Sequence, residues 1–325
     1  MKKTPDETLF DRPLETSKEA LRKKRRADKI MQQAIELADE EAQQAGSLTF
    51  SPRCILLATL PHRDPGNIPV FIRRNGHYTL RIEAGYRFLG EEERTSNAPQ
   101  VVPLGYPFGV IPRLMIAWIT TEAVRTQSKT IYLGDSLADF LRQLDLGRHG
   151  GPRGDITRLR DQMDRLFASR LSFFYPGVGR HDIHYLQLIH KSSYFWESAP
   201  RPGVDPKSAS IVLTHEFFRE IVERPVPLDW RVMHALKHSS LALDIYAWLT
   251  YRMSYLKKPT TIPWASLVLQ FGSDYTRLRD FKINFLEQLK AVKLLYCHAR
   301  FSTEDDKGLT LYPSRPQVLK ADQVP

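Results

Sequence analysis

A chain of 325 residues with 42% hydrophobic and 26% charged residues has enough apolar material for one full core or two, which excludes a disordered tail. Lysine and arginine number 47 against 37 aspartates and glutamates, a net charge of +10, and an isoelectric point near 9.5 suits a protein that meets a polyanion. No apolar run approaches the roughly 20 residues of a membrane span, no secretory leader is visible, and Cys54 and Cys297 lie far apart, so the expectation is a cytoplasmic protein with no disulfide framework, metal or cofactor.

Residues 1–50 are expected to form a charged helical arm. Ala27, Ile30, Met31, Ala34, Leu37 and Ala38 recur at helical spacing between about Thr16 and Gln44. The arm starts basic, with Arg22, Lys23, Lys24, Arg25 and Arg26, and ends acidic, with Glu36, Asp39, Glu40 and Glu41. Its basic run either tracks phosphates or is a solvated helix face. Next, VFIRR and HYTLRIEA flank Asn75-Gly76, the dipeptide of a type I′ turn, which predicts a β-hairpin. PLGYPFGVIPR then leads into an apolar helix from about Arg113 to Thr126. ESAPRPGVDPKSAS, 197–210, has three prolines and no periodicity, and reads as an exposed linker between two packed units, 51–196 and 211–319, with 320–325 as a tail.

The two halves resemble each other. AWIT at 117–120 recurs as AWLT at 247–250, Thr130-Ile131 as Thr261-Ile262, and Ser136-Leu137 as Ser266-Leu267. TRLRD occupies 157–161 and again 276–280, so the first copy carries an insertion of eleven residues, placed in the loop GRHGGPRGD at 147–155. Each copy reads helix, strand (TIYL or TTIP), helix (SLADFLRQL or ASLVLQF), turn, arginine-bearing helix, and then two β-rich runs. Those runs are LSFFY and IHYLQLIH around PGVGR in the first copy, KLLYCHARF and LTLYP around TEDDKG in the second. This is the plan of a winged helix-turn-helix, whose last helix enters the major groove. The predicted fold class is therefore α+β, mainly helical, with two tandem winged helix-turn-helix domains.

At 100° per residue, Ile156, Leu159, Met163, Leu166 and Phe167 share the core side of the first long helix, and Leu278, Phe281, Phe285, Leu286 and Leu289 that of the second. Arg158 and Arg165 in the first, and Arg277 and Asn284 in the second, flank those stripes. Arginine binds guanine or phosphate through its planar fork and asparagine can read adenine. A solvated face, with Arg160 and Asp164 paired, is the alternative, and arginine at the same place in both copies favours DNA. Thr157 and Thr276, Arg160 and Arg279 accompany them in the two pentapeptides. Arg148 and Arg153 in the glycine-rich loop either seat a phosphate or belong to a mobile connector, and Arg180 and Lys307 mark the wings. Glu304, Asp305 and Asp306 would repel phosphates in the second wing. Residues 101–325 carry 30 basic against 22 acidic residues, most of the surplus charge.

The chain resembles the plasmid-encoded RepA replication-initiator family. The resemblance runs from about His62 to Pro316 and is densest in PLGYPFGVIPRLMIAWITTEAVRTQSKTIYLGDSLADFL and LDLGRHGGPRGDITRLRDQMDRLF. SLALDIYAWLTYR and RLRDFKINFLEQLKAVKLLY are similar to the C-terminal winged helix of iteron-binding initiators. The resemblance implies binding to origin repeats, local duplex opening, recruitment of host replication initiator and helicase proteins, and repression of the chain's own promoter. It also raises a homodimer through the first winged-helix domain.

Enzymatic signatures are missing. No two histidines are two apart, and HExxH, CxxC, GxSxG and GxxxxGK[ST] do not occur. His181 with His184 and His234 with His238 read as structural, Glu91, Glu92 and Glu93 as a solvated turn, and Tyr185, Tyr194, Phe195 and Trp196 as packing or contact residues. The expectation is a non-enzymatic initiator whose two modules grip about 20 base pairs of double-stranded DNA. A tandem winged-helix repressor is the alternative, and a nicking enzyme or primase is the third reading.

Overall fold

The computed structural model describes residues 17–38, 40–88, 101–134, 137–147, 151, 154–177, 180–193, 209–272, 275–304 and 307–318. The chain opens with α1 (Ser17–Ala38), β1 (Leu48–Pro52), α2 (Arg53–Leu57), β2 (Phe71–Asn75), β3 (Tyr78–Glu83), β4 (Gly85–Phe88) and β5 (Val101–Gly105). It continues with α3 (Val110–Thr126), β6 (Thr130–Tyr132), α4 (Leu137–Gln143), α5 (Asp155–Ala168), β7 (Arg170–Gly177), β8 (Arg180–Gln187) and β9 (Ile189–Ser193). The second half comprises β10 (Ser210–Leu213), α6 (His215–Glu223), β11 (Pro225–Asp229), α7 (Trp230–Leu236), α8 (Ser240–Met253) and β12 (Thr260–Pro263). It ends with α9 (Trp264–Phe271), α10 (Leu278–Leu295), β13 (Arg300–Ser302) and β14 (Gly308–Tyr312). The class is α+β. No helix among the described residues is long and apolar enough to cross a membrane.

The repeat is visible in the packing. α3 and α8 are apolar nearly all round and therefore central. Trp118 on α3 meets Phe140 on α4 edge-on at 5.0 Å, and Trp248 on α8 meets Phe271 on α9 edge-on at 5.5 Å. The pentapeptides, by contrast, are out of step. Thr157 lies inside α5, whereas Thr276 and Arg277 precede α10, so Leu159 is buried while Leu278 is 51% exposed. Leu278 is thus not core, and Phe281 opens the buried stripe of α10 instead. A short identical string does not fix helix phase; the aromatic side chains that fill the core do.

The predicted hairpin is present as β2–β3, with a shifted turn. Asn75 pairs with Tyr78, which makes Gly76-His77 the two-residue loop, and only Gly76 has a positive φ, 57°. One positive φ at the first central residue is the pattern of a II′ turn and not of the I′ turn expected for Asn-Gly. The Asn75 side chain instead donates from Nδ2 to the Leu57 carbonyl at 2.8 Å.

Strand pairing changes the reading of the first wing. β7 and β8 extend the β2–β3 hairpin into a sheet of order β2-β3-β7-β8. The sheet beside α3 and α4 has order β6-β10-β9, matching β12-β14-β13 in the second copy, where the middle strand also comes last in sequence. β10 pairs with β6 through Ile211 and Ile131, both buried, so the strand after the proline-rich stretch belongs to the first copy's sheet. The stretch read as a linker thus connects neighbouring strands β9 and β10; most of it lies outside the described residues. The run IHYLQLIH serves two sheets because it breaks at Leu188, which is itself buried.

One apolar cluster runs from Ile30 through both halves to Leu311. β1 pairs with β11 across the halves, and α1 packs on α10 and α7. α3 and α8 meet at a buried ion pair between Arg113 and Asp244, residues that stand four and three positions ahead of the repeated Ala117 and Ala247.

Candidate nucleic-acid interface

The first turns of α5 present their polar side chains to solvent. Thr157 donates its hydroxyl to the Gly151 carbonyl at 2.8 Å, tying the end of the glycine-rich loop to the helix. Arg158 is exposed, with only a 3.5 Å approach to Asp155, and Arg160 is exposed as well. Arg148 and Arg153 lie outside the described residues. Arg180 begins β8 and pairs through its backbone with Gly177; its side chain is likewise outside the description.

Arg165 does not join this surface. Its side chain is 18% exposed, donating from Nε to Asp161 at 2.9 Å and from Nη1 to Asp64 at 3.2 Å and to the Tyr106 carbonyl at 3.4 Å. Its guanidinium also lies 5.3 Å from the centre of the Phe108 ring. The flank position was read correctly from the helical wheel, but a carboxylate 101 residues away occupies the guanidinium.

In the second copy Thr276, Arg277 and Arg279 are exposed at the start of α10, with Arg277 at the cap position, and Lys307 is exposed at the turn into β14. Asn284 is withdrawn. It donates from Nδ2 to the Tyr275 hydroxyl and accepts at Oδ1 from Gln288 at 3.3 Å, so its amide braces the turn before α10 and is not offered to a base. Lys282 is held over the Trp264 ring at 5.2 Å. Of the four flanking residues, Arg158 and Arg277 therefore remain at the surface, accompanied by Thr157 and Arg160 on α5 and by Thr276 and Arg279 at the start of α10. α5 packs on α3, α4, β4, β5 and β9, while α10 packs on α8, α9, α1 and α7.

A cationic cluster sits at the end of α7, built on His234 and His238, which the sequence reading gave only a structural role. Asp145, at the end of α4 with φ 51°, contacts His234, and its carbonyl accepts from Lys237 Nζ at 2.6 Å. Lys237 also contacts His234, and His238 follows it. All three groups are pulled below their ordinary pKa, first by burial and then by neighbouring positive charge. Its sequence signal was the string HALKH, in which three cationic or titratable side chains crowd one helix end. Among the described residues, no group of three or more His, Cys, Asp or Glu side chains is arranged to hold a metal ion.

Residues 106–265 match the family model described as plasmid encoded RepA protein. The match contains α3 to α5 entire and ends in the first turn of α9, so α10 lies beyond it. Among solved structures, a crystal structure of selenomethionine derivatives of domains 2 and 3 of RctB is similar with a TM-score of 0.52 and 12% identity, over 82% of this chain and 99% of that one. A crystal structure of RctB domains 2-3 gives a TM-score of 0.47 and 14% identity, over 79% of this chain and 94% of that one. No curated protein matches. Through residues 106–265, the stretch that holds the first repeated unit and the core helix of the second, the chain is similar to the plasmid encoded RepA family.

Proposed function

We propose that the chain is a replication initiator that binds double-stranded origin repeats through two winged helix-turn-helix units, with α5 and α10 as the helices that enter the major groove. The observation that carries this reading is the pair of repeated helix, strand, helix, helix units, each with exposed arginine at the start of its last helix, in a chain whose residues 106–265 match the RepA family model. The surplus of positive charge in residues 101–325 supports it. In this reading Thr157, Arg158 and Arg160, with Thr276, Arg277 and Arg279, make the contacts, and Lys307 follows the backbone from the second hairpin. The protein acts by binding and by recruiting host replication initiator and helicase proteins, needs no cofactor, and performs no chemistry of its own.

Arg158→Ala and Arg277→Ala test the assignment. Each is expected to weaken binding to the repeats about tenfold or more at physiological salt, the loss of roughly 1–3 kcal/mol that a bidentate base contact supplies. Unchanged affinity in both variants removes α5 and α10 as reading helices. Equal losses on cognate and unrelated duplex would make the contacts phosphate contacts. Supplying the chain in trans to a DNA circle that carries its repeats separates an initiator, which sustains replication, from a repressor, which does not.

A further inference from the structure

We infer that α1 and the end of α7 form a phosphate track for the backbone of double-stranded DNA, separate from the two helices proposed to read bases. The inference rests on the DNA-binding reading above and adds a partner surface whose α1 part lies outside the RepA match and whose α7 part lies within it.

α1 is a docked element. Ile30 is buried, Ala34 and Leu37 pack on the core, and the arm is pinned past its end by Arg231 Nη2 donating to the Glu40 carbonyl at 2.8 Å and by an Arg315–Glu41 ion pair at 2.6 Å. With α1 fixed by its apolar face, 100° per residue sets the rest. Arg22, Arg25, Arg26 and Lys29 fall in a sector about 100° wide on one flank of the Ile30 line, and Lys24 falls on the other flank. The arginine flank also carries Gln33 and Glu36, which with Leu37 line a cleft of about 300 Å³ shared with Asp145, Trp230, Arg231 and His234. That flank therefore faces the end of α7.

The electrostatics agree with the geometry. Lys29 acts on His234, Lys237 and His238, and Arg26 acts on His238, while Asp145 and Asp155 act in the opposite sense on Lys237. Asp155 opens α5, so the cluster extends to the turn that carries Arg158. Arg22, Arg25 and Lys29 are exposed, and none forms an ion pair among the described residues. Positive charge in excess of its counter-charges, on a rigid flank that continues to a proposed reading helix, fits a regularly spaced polyanion. Arg22 to Lys29 spans about 10 Å at 1.5 Å per residue, and duplex DNA carries one negative charge per roughly 1.7 Å of axis. Continuity with α5 favours DNA over an acidic protein or a lipid surface.

The test measures binding of the full chain to an origin-repeat duplex and to an unrelated duplex across a salt series. The double variant Arg22→Ala, Arg25→Ala is expected to flatten the slope of log affinity against log salt by about 2 on both duplexes, leaving their affinity ratio unchanged. Lys24→Ala, on the other flank, leaves the slope as it was, and Arg22→Lys, Arg25→Lys restores it. An unchanged slope in the double alanine variant, an equal effect from Lys24→Ala, or no restoration by lysine overturns the inference. So does loss of binding to phosphatidylserine vesicles with the DNA slope intact, which would assign the flank to a membrane surface. A wild-type chain that does not prefer its repeats, yet whose slope the double variant flattens, refutes the initiator reading and leaves the track standing.

Discussion

Asp244 sits in the core and receives hydrogen bonds from Arg113 Nε, Arg113 Nη2 and His62 Nε2, each at 2.7 Å. Arg113 spends its remaining donors on the carbonyls of Leu60, Pro61 and Gly109 at 2.7, 3.1 and 2.6 Å. Burial alone would raise the Asp244 carboxyl, but the guanidinium and the imidazole outweigh it and hold the group below its usual pKa. His62 is pushed below its usual value by burial, against the pull of Asp244, and stays neutral with Nε2–H as donor. Asp244→Ala leaves a buried guanidinium without its partner and is expected to cost about 3–5 kcal/mol in urea unfolding. Acid acts through both groups. A histidine whose folded pKa is depressed stabilises the fold fully above about 6.5, and that stabilisation is lost as pH falls from there toward the folded value. Asp244 retains its contribution until pH falls below the ordinary carboxylate range. Stability should therefore drop as pH falls below about 6.5, and His62→Gln should reduce that drop; an identical drop in the variant would place the proton uptake elsewhere.

Among the elements, the second-copy sheet shows how closely backbone contact fixes register. Gly308 opens β14 opposite Pro263 of β12, and a Cβ there would lie 2.2 Å from the Ile262 carbonyl oxygen. Gly308→Ala is expected to cost about 1–3 kcal/mol as β12 and β14 are forced apart, read as a lower urea midpoint. A midpoint equal to wild type would mean that the hairpin has room to shift. At this scale local pattern was a good guide to the existence of helices and strands: α3, α8, the two Trp-bearing units and the β2–β3 hairpin all follow from apolar spacing and turn residues. Partners were less legible. IHYLQLIH gives no sign that its two ends belong to different sheets, because β9 is claimed by Ser210–Leu213 beyond a proline-rich stretch. The two TRLRD copies looked equivalent because helical phase is set by which side chains find the core, and Phe281 is a better core residue than Leu278.

Over the whole molecule, the single apolar cluster and the buried Arg113–Asp244 pair couple the two repeated units. Urea unfolding is expected to be one cooperative transition with far-UV and near-UV probes coincident. Two resolved transitions would show that the halves fold independently, as the sequence alone had suggested from its proline-rich stretch. By itself the sequence determined the α+β class, the doubled order of elements, the RepA resemblance and the sign of the charge, because each is written in local spacing or composition. Tertiary structure alone decided which cations remain at the surface. Arg158 and Arg165 are indistinguishable on a helical wheel, yet Asp64 folds back to hold one and leaves the other exposed, and Asn284 is taken by Tyr275 in the same way. The reason is physical: a polar or charged side chain is committed by whatever opposite charge or acceptor the fold brings within hydrogen-bond reach, and that neighbour can lie far off in sequence, as Asp64 does from Arg165.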